Sequence, residues 1–167
     1  MHLAAWDKRT QEHAFIFNPA YLGSMLFEFV SSYEKSAKKT TPYVLPFCAL
    51  PLVLYPDSRR MLPTSIRTGL YSWLERTPEV LVGYADRSRL LVPYIKEALI
   101  YATHRHVLEF KQGKIACGSR KAAFSASRLD LVTPDIRDTI RSTRMTGKWF
   151  AAAGEEQTIL ASLGVRP

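Results

Sequence analysis

Positively charged side chains are the residues of this sequence best placed for binding chemistry. Between positions 111 and 148 there are nine Lys and Arg residues and only three Asp. The first members of this group flank and follow a short turn. Cations in such a position neutralise the phosphates of a nucleic-acid backbone without reading its bases. We therefore predict contact with nucleic acid at Lys111, Lys114, Arg120 and Lys121.

A second group of cations has the spacing of a helix. Four of them, between positions 137 and 148, are separated by four, three and four residues, so one helix face would carry them all. They are Arg137, Arg141, Arg144 and Lys148. We predict that they attract an acidic partner protein, while large apolar side chains nearby act as anchors on it. The predicted anchors are Trp149, Phe150, Ile159 and Leu163. The alternative is that the aromatic residues pack on the chain's own core.

Two successive helices are predicted to carry these groups. Thr133 is a suitable N-cap, and the proline after it suits the first turn of a helix. Gly154 and Gly164 supply left-handed stops, so one helix is predicted to end near each of them. Residues 133–167 are therefore predicted to form a C-terminal helical docking arm, in one compact unit with a core of residues 1–132.

The core is predicted to be mainly helical with one short β-hairpin. Asn18 and Pro19 are suited to begin a long helix. Residues 107–117 predict two short strands joined by a turn that contains Gly113. Helix, turn, helix and hairpin in this order are typical of a winged helix. We therefore predict a mainly α fold, with a winged-helix-like domain, a short β-hairpin and the C-terminal helical arm.

In three segments of the core, the sequence predicts where helices begin or break. Thr64 is predicted to cap a helix that includes Ile66, and Pro78 to begin the next helix. Pro93 is predicted to kink that helix or to begin a new one. The apolar run from Val44 to Leu54 is either a buried helix or a strand, because its prolines interrupt both patterns.

The sequence contains no arrangement of residues that predicts catalysis. His104 and His106 lie at a predicted helix end, which favours His by itself, and they are not predicted to hold a metal. Gly113-Lys114 and Gly147-Lys148 lack the glycine-rich loop of a nucleotide site. We therefore predict no catalytic, metal-binding or cofactor-binding residues and no enzyme activity.

Charge and composition restrict the classes of function and the cellular location that remain. Lys and Arg number 23 against 15 Asp and Glu, and the resulting net charge of +8 favours a polyanionic or acidic partner. The longest apolar run, from Tyr43 to Tyr55, is shorter than the roughly 20 residues of a membrane helix. The N terminus does not have the pattern of a secretion signal. We expect a cytoplasmic protein without a membrane contact, in which Cys48 and Cys117 are small buried residues.

Several short stretches carry a resemblance to a known family. They are Phe17–Ala20, Leu50–Leu54, Val82–Ala85, Leu91–Tyr94, Gly147–Gly154, Thr158–Leu160 and Leu163–Pro167. In these stretches the sequence resembles the small middle component of three-component ABC ATPase systems, bacterial defence operons that include Lamassu-type systems. The resemblance implies a non-catalytic subunit between an SMC- or Rad50-like ABC ATPase and an effector. It also implies that double-stranded DNA is contacted through the complex.

A stand-alone winged-helix DNA-binding regulator of transcription is the alternative interpretation. The turn pattern and the positive charge favour it. Its predicted recognition helix, however, carries charges of both signs and lacks a cluster of Asn, Gln and Arg that would read base edges. The charged residues in question are Glu79, Asp86, Arg87, Arg89 and Lys96.

Overall fold

The computed structural model describes residues 3, 6–11, 17–122 and 124–165, and this part of the chain is mainly helical. Its helices are α1 (Pro19–Ala37), α2 (Leu45–Leu54), α3 (Pro56–Met61), α4 (Leu70–Arg76), α5 (Tyr84–His104), α6 (Ala126–Leu129), α7 (Pro134–Ala152) and α8 (Glu156–Ser162). An antiparallel sheet has the strand order β1-β3-β2 and contains β1 (Thr41–Pro42), β2 (Leu108–Lys111) and β3 (Lys114–Cys117). The predicted mainly α chain with a short hairpin is confirmed. None of the described helices has both the length and the apolar character needed to cross a membrane.

Helix α1 is the central element of the core. The side-chain oxygen of Asn18 accepts a hydrogen bond from the backbone N–H of Ala20 at 2.8 Å, and Pro19 is the first helical residue. The predicted helix start is therefore confirmed. The helix contacts α5, α7 and β3, which leaves most of its apolar side chains without exposed surface. The buried ones are Leu22, Met25, Leu26, Phe27, Phe29, Val30 and Tyr33.

Helices α1 and α7 are in backbone contact at Gly147. A Cβ atom on this residue would lie 2.5 Å from the carbonyl oxygen of Phe29 and 2.9 Å from Cβ of Ser32. Helices approach this closely only where one of them lacks a side chain. Because α7 touches the central helix in this way, the segment predicted as a docking arm is packed into the core.

The apolar run from Val44 to Leu54 was predicted to be either a helix or a strand. It forms α2. Pro46 lies in its first turn, where a missing N–H is not needed. Pro51 lies inside the helix and removes one backbone hydrogen bond. Leu50 and Val53 have no exposed surface, and the burial of such side chains offsets this loss.

The predicted helix at Thr64 is wrong over its first half. Helix α4 begins only at Leu70, and Ile66 lies before it with an exposed side chain. The hydroxyl of Ser65 accepts a hydrogen bond from the backbone N–H of Arg67 at 3.2 Å. A side chain that bonds to the backbone two residues ahead favours a turn over a helix, which explains the later start.

Helix α5 also begins later than predicted and then runs without a break. Pro78 starts a short 3-10 turn, Pro78–Leu81, rather than an α-helix. Gly83 then adopts a left-handed conformation with φ of 65°, which glycine does without strain, and α5 follows. Pro93 lies inside this single helix, so no new helix begins there.

A buried arginine ties α3 to α7. The side chain of Arg59 is only 5% exposed. Its Nε donates to Asp138 at 2.8 Å, and another nitrogen of the guanidinium pairs with Asp135. A third donates to the carbonyl oxygen of Val53 at 2.8 Å. A guanidinium is stable in such a position because carboxylate and carbonyl oxygens satisfy its donors.

Candidate functional site

The apolar residues predicted as docking anchors lie in the core. They are Trp149, Phe150, Ile159 and Leu163, and none is more than 2% exposed. The Trp149 ring packs edge-on against Trp73, with the ring centroids 5.0 Å apart. Its Nε1 donates a hydrogen bond to the carbonyl oxygen of Thr68 at 2.7 Å. The structure corrects the docking prediction for these four residues, because their burial serves the chain's own core.

The four cations predicted to attract a partner do not form one free surface. Arg144 donates twice to the buried carboxylate of Glu28, both times at 2.7 Å, and once to the carbonyl oxygen of Phe124 at 2.6 Å. The hydrogen bond with Glu28 raises the pKa of Arg144. Nε of Arg137 donates to a backbone carbonyl oxygen at 2.9 Å. Arg137 and Arg144 therefore stabilise the fold, and the exposed members of the group are Arg141 and Lys148.

The four residues predicted to contact phosphates fall into two groups. Lys111 and Lys114 face each other beside the hairpin turn, and Lys111 forms an ion pair with Glu109 at 2.6 Å. Arg120 and Lys121 follow the opposite end of β3. A strand advances about 3.3 Å per residue, so four-residue strands separate the groups by on the order of 10 Å. The two groups are therefore separate on the surface, and their contact with phosphates stays a prediction.

Backbone hydrogen bonds hold the segment after β3 against the end of α5. The N–H of Arg120 donates to the carbonyl oxygen of His106, and that of Val107 donates to Ala102, both at 2.9 Å. A Cβ atom on Gly118 would lie 2.3 Å from the carbonyl oxygen of His106. This crossing therefore requires glycine, and it places the backbone of Arg120 beside the end of α5.

The crossing builds a cavity of about 380 Å³, called here the basic pocket. Cations from the end of α5 and from the segment after β3 line it, together with small residues of α1. None of the described residues that line it is Asp or Glu. The main lining residues are Arg105, Arg120, Lys121, Ala20, Gly23 and Ser24.

Sequence reasoning missed Arg105 as a member of this site. The residue stands at the end of a predicted helix, where its charge is explained by the helix dipole alone. The available signal was the hairpin at residues 107–117. An antiparallel pair returns the chain to its starting point, so residues just before and just after a hairpin are neighbours.

A second concave site, called here the apolar groove, lies between α2 and α5. Its volume is about 570 Å³, and most of its lining is apolar, with two exposed cations from α5. The apolar residues include Tyr43, Phe47, Ala85, Val92 and Val165, and the cations are Arg89 and Lys96. The sequence analysis missed the groove, although four of its residues recur at positions 85, 89, 92 and 96. That spacing marks one helix face and was the available signal.

Aromatic side chains extend the apolar groove toward the hairpin. The ring centroid of Tyr43 lies 5.1 Å from that of Phe47 and 5.8 Å from that of Phe110. Phe110 is 49% exposed. Burial raises the pKa of the Tyr43 hydroxyl, so this side chain remains neutral in the physiological range. The result is a continuous aromatic strip at the surface.

Reactive side chains are not gathered in either cavity. Within the described residues, no group of three or more His, Cys, Asp or Glu is placed to hold a metal ion. Burial raises the pKa of Cys48 and of Cys117 to about 12, so both thiols are protonated near neutral pH. Cys48 is buried as expected, whereas Cys117 is only partly buried.

A comparison with protein families identifies the relatives of the chain. The family model described as the ABC-three component (ABC-3C) system Middle Component 3 matches residues 6–167. The chain belongs to this family. No curated protein and no solved structure matches the middle component. The resemblance to middle components of three-component ABC systems is confirmed, and such a component has partner proteins within its system.

Proposed function

We propose that the middle component is a non-catalytic adaptor that joins an SMC- or Rad50-like ABC ATPase to an effector in a bacterial anti-phage or anti-plasmid defence complex. Family membership supports an adaptor role. The apolar groove is the observation that supports docking. In this proposal the ATPase and the effector supply the chemistry, the complex acts in the cytoplasm, and double-stranded DNA is contacted through the complex.

The apolar groove has the composition of a docking site. Protein interfaces combine apolar anchors at their centre with charged groups at their rim. Phe47 and Val92 supply apolar surface, and the exposed Arg89 and Lys96 supply charge. Arg89 also pairs with Asp86 at 3.0 Å, but both side chains are so exposed that this ion pair holds Arg89 weakly. We assign to the groove an amphipathic segment of the ATPase subunit, with apolar anchors and acidic flanks.

Apolar anchors in the groove would contribute to the affinity for a partner. Burial of one Val-, Leu- or Phe-sized anchor contributes about 1.5–3 kcal/mol. Each 1.4 kcal/mol changes an affinity about tenfold. Each anchor therefore strengthens the complex measurably, and the net charge of +8 adds attraction for an acidic partner.

Co-expression with the products of the neighbouring genes tests this assignment. Val92→Glu places a carboxylate in the groove, whereas Leu90→Glu introduces the same change two residues earlier on α5. Leu90 is 56% exposed and does not line the groove, so it is a matched control. We expect Val92→Glu to reduce recovery of the ATPase about tenfold or more, while Leu90→Glu leaves it unchanged.

The melting temperature of each variant shows whether the fold is intact. If Val92→Glu unfolds the protein, Arg89→Glu combined with Lys96→Glu reverses the rim charge at exposed positions and is expected to weaken the same complex. Equal recovery by groove and control variants would contradict docking in the groove. Failure of the unaltered protein to recover either partner would contradict the adaptor function.

A winged-helix regulator is the second candidate, and the sheet topology favours its fold. Strand β1 follows α1 and pairs with β3, the last strand of the hairpin after α5. The strand order β1-β3-β2 and the helix just before the hairpin agree with a winged helix, whereas four of the described helices lie between β1 and β2. The exposed face of α5 nevertheless includes Asp86, Leu90 and Ile100, which do not pair with base edges. Sequence-selective binding of the isolated chain to DNA, with a Kd below about 10⁻⁸ M, would support the regulator.

A further inference from the structure

The cations of the basic pocket are exposed, and none has a carboxylate partner among the described residues. In the described part of the chain, Arg105, Arg120 and Lys121 form no ion pair, whereas Arg59 and Arg144 both do. Like charges gathered in one cavity repel one another and destabilise the folded state. An anion between them would offset this repulsion.

We propose that the basic pocket binds a phosphate group carried by a nucleotide, either free or within a nucleic-acid strand. The donors suit this ligand, because a guanidinium presents a planar fork that matches two phosphate oxygens. Arg105 and Arg120 supply two such forks, and Lys121 adds a compact positive charge. Because none of the described lining residues is Asp or Glu, the electrostatic potential in the pocket is positive.

The space in the pocket is larger than a phosphate group requires. Its volume of about 380 Å³ lies within the range of small-ligand sites, roughly 300–1,000 Å³. Ala20, Gly23 and Ser24 leave this space open because their side chains are small. The ring of Tyr101 also lines the cavity and is partly exposed. The guanidinium of Arg105 lies over this ring, 6.0 Å from its centroid. Aromatic rings and guanidinium planes both stack on nucleic-acid bases, so this side of the pocket suits a base beside its phosphate.

The backbone that carries Arg120 and Lys121 is held in place before a ligand arrives. The backbone N–H of Arg120 donates a hydrogen bond to the carbonyl oxygen of His106. Two residues earlier in the chain, the close approach of Gly118 to the same carbonyl oxygen restricts the backbone further. Preorganised contacts of this kind increase affinity because less freedom is lost on binding. The negative end of the α5 dipole explains a cation at Arg105, but it does not account for the two cations that come from the segment after β3.

Binding of labelled strands to the full chain, measured by fluorescence anisotropy, tests the proposal. The probes are a short single strand with a 5′-phosphate and the same strand with a 5′-hydroxyl, each in competition with adenosine monophosphate. The pocket variant combines Arg105→Gln, Arg120→Gln and Lys121→Gln. The control combines Arg76→Gln, Arg141→Gln and Lys148→Gln, which remove the same charge from exposed positions elsewhere.

We expect the pocket variant to bind about tenfold more weakly than the unaltered protein. The slope of log K against log salt concentration should become shallower by about 0.7 for each phosphate that the variant no longer neutralises. The control variant should change much less in both quantities. A preference for the 5′-phosphate strand would identify a strand end as the ligand, and equal binding of both strands would identify an internal phosphate. Displacement of the strand by adenosine monophosphate would identify a free nucleotide. All three results support the pocket.

A second variant separates the pocket from general charge. Ala20→Phe fills the cavity from the first turn of α1 without changing any charge, and it is expected to weaken binding as strongly as the charge variant. Equal losses in the pocket and control charge variants, or full binding by Ala20→Phe, would overturn the proposal. No partner subunit is present in this experiment, so its outcome is independent of the adaptor function.

Discussion

The helix pairs α1–α7 and α2–α5 meet in opposite ways. The first pair is closed, because its backbones touch at Gly147 and no side chain separates them there. The second pair is joined by a hydrogen bond of 2.6 Å from the Tyr84 hydroxyl to the carbonyl oxygen of Cys48, yet it leaves a groove of about 570 Å³ beside that bond. Residues of the closed pair therefore serve stability, and residues of the open pair are available for binding.

Removal of the largest side chain near the closed pair is expected to have the largest effect. Trp149→Ala should lower the free energy of unfolding by about 4 kcal/mol, because it leaves a cavity and removes the hydrogen bond to Thr68. The melting temperature should fall by on the order of 10 °C. Phe110→Ala removes an exposed ring and is the control, with an expected change below about 1 kcal/mol. Similar melting temperatures for the two variants would contradict the assignment of Trp149 to the core.

The second-largest loss of stability is expected when a single methyl group is added between the helices of the closed pair. Gly147→Ala forces α1 and α7 apart and should cost about 3 kcal/mol, measured by urea denaturation. Gly69→Ala is the matched control, because a Cβ atom there meets nothing within 4 Å and the backbone φ is −60°. That control should change the free energy of unfolding by less than about 1 kcal/mol, because the entropic gain from Ala opposes its weaker N-cap preference. A neutral Gly147→Ala would show that the helices are not in backbone contact.

The buried ion pair between α1 and α7 is expected to contribute less. Arg144→Gln leaves the carboxylate of Glu28 with one remaining partner, the N–H of Phe124 at 2.7 Å. The expected loss is about 2 kcal/mol, below the value for a fully buried pair because Arg144 is partly exposed. The double variant with Glu28→Gln should be less unstable than the sum of the single variants. Additive losses would show that the two side chains act independently.

The smallest predicted effect is a loss of stability at alkaline pH that arises from Cys48, in the open pair α2–α5. Burial raises the pKa of Cys48 from 9.0 to about 12, so its contribution to stability is complete below pH 9 and is lost as pH rises toward 12. At pH 10 the loss should be about 1.4 kcal/mol. Cys48→Ala lacks this titration, and its free energy of unfolding should fall less between pH 8 and pH 10. Identical pH profiles would exclude this thiol as a source of alkaline instability.

Elements with local signals could be predicted from the sequence. Thr133 Oγ1 accepts from the N–H of Ile136 at 3.4 Å, as expected of an N-cap, and α7 begins at the next residue. Gly154 and Gly164 both have a positive φ, as predicted for helix stops. Caps and left-handed glycines are set by neighbouring residues, so the sequence displays them directly.

Contacts between distant segments could not be predicted in this way. The helical spacing of Arg144 correctly placed it on a face of α7, but nothing local indicated that Glu28 lies opposite that face. The same limit applies to Trp149 and its partner Trp73. The candidate sites depend on such pairings, because each cavity is bounded by elements that are far apart in the sequence.

The contact between α1 and α7 has a consequence for synthesis of the chain. About 100 residues separate the end of the first helix from the start of the second, and a ribosome adds roughly 5–20 residues per second. For roughly 5–20 s after it is made, α1 therefore lacks the helix that covers it, and its apolar side chains are open to chaperones and to neighbouring nascent chains. The packing around α1 is completed only after α7 has left the ribosome.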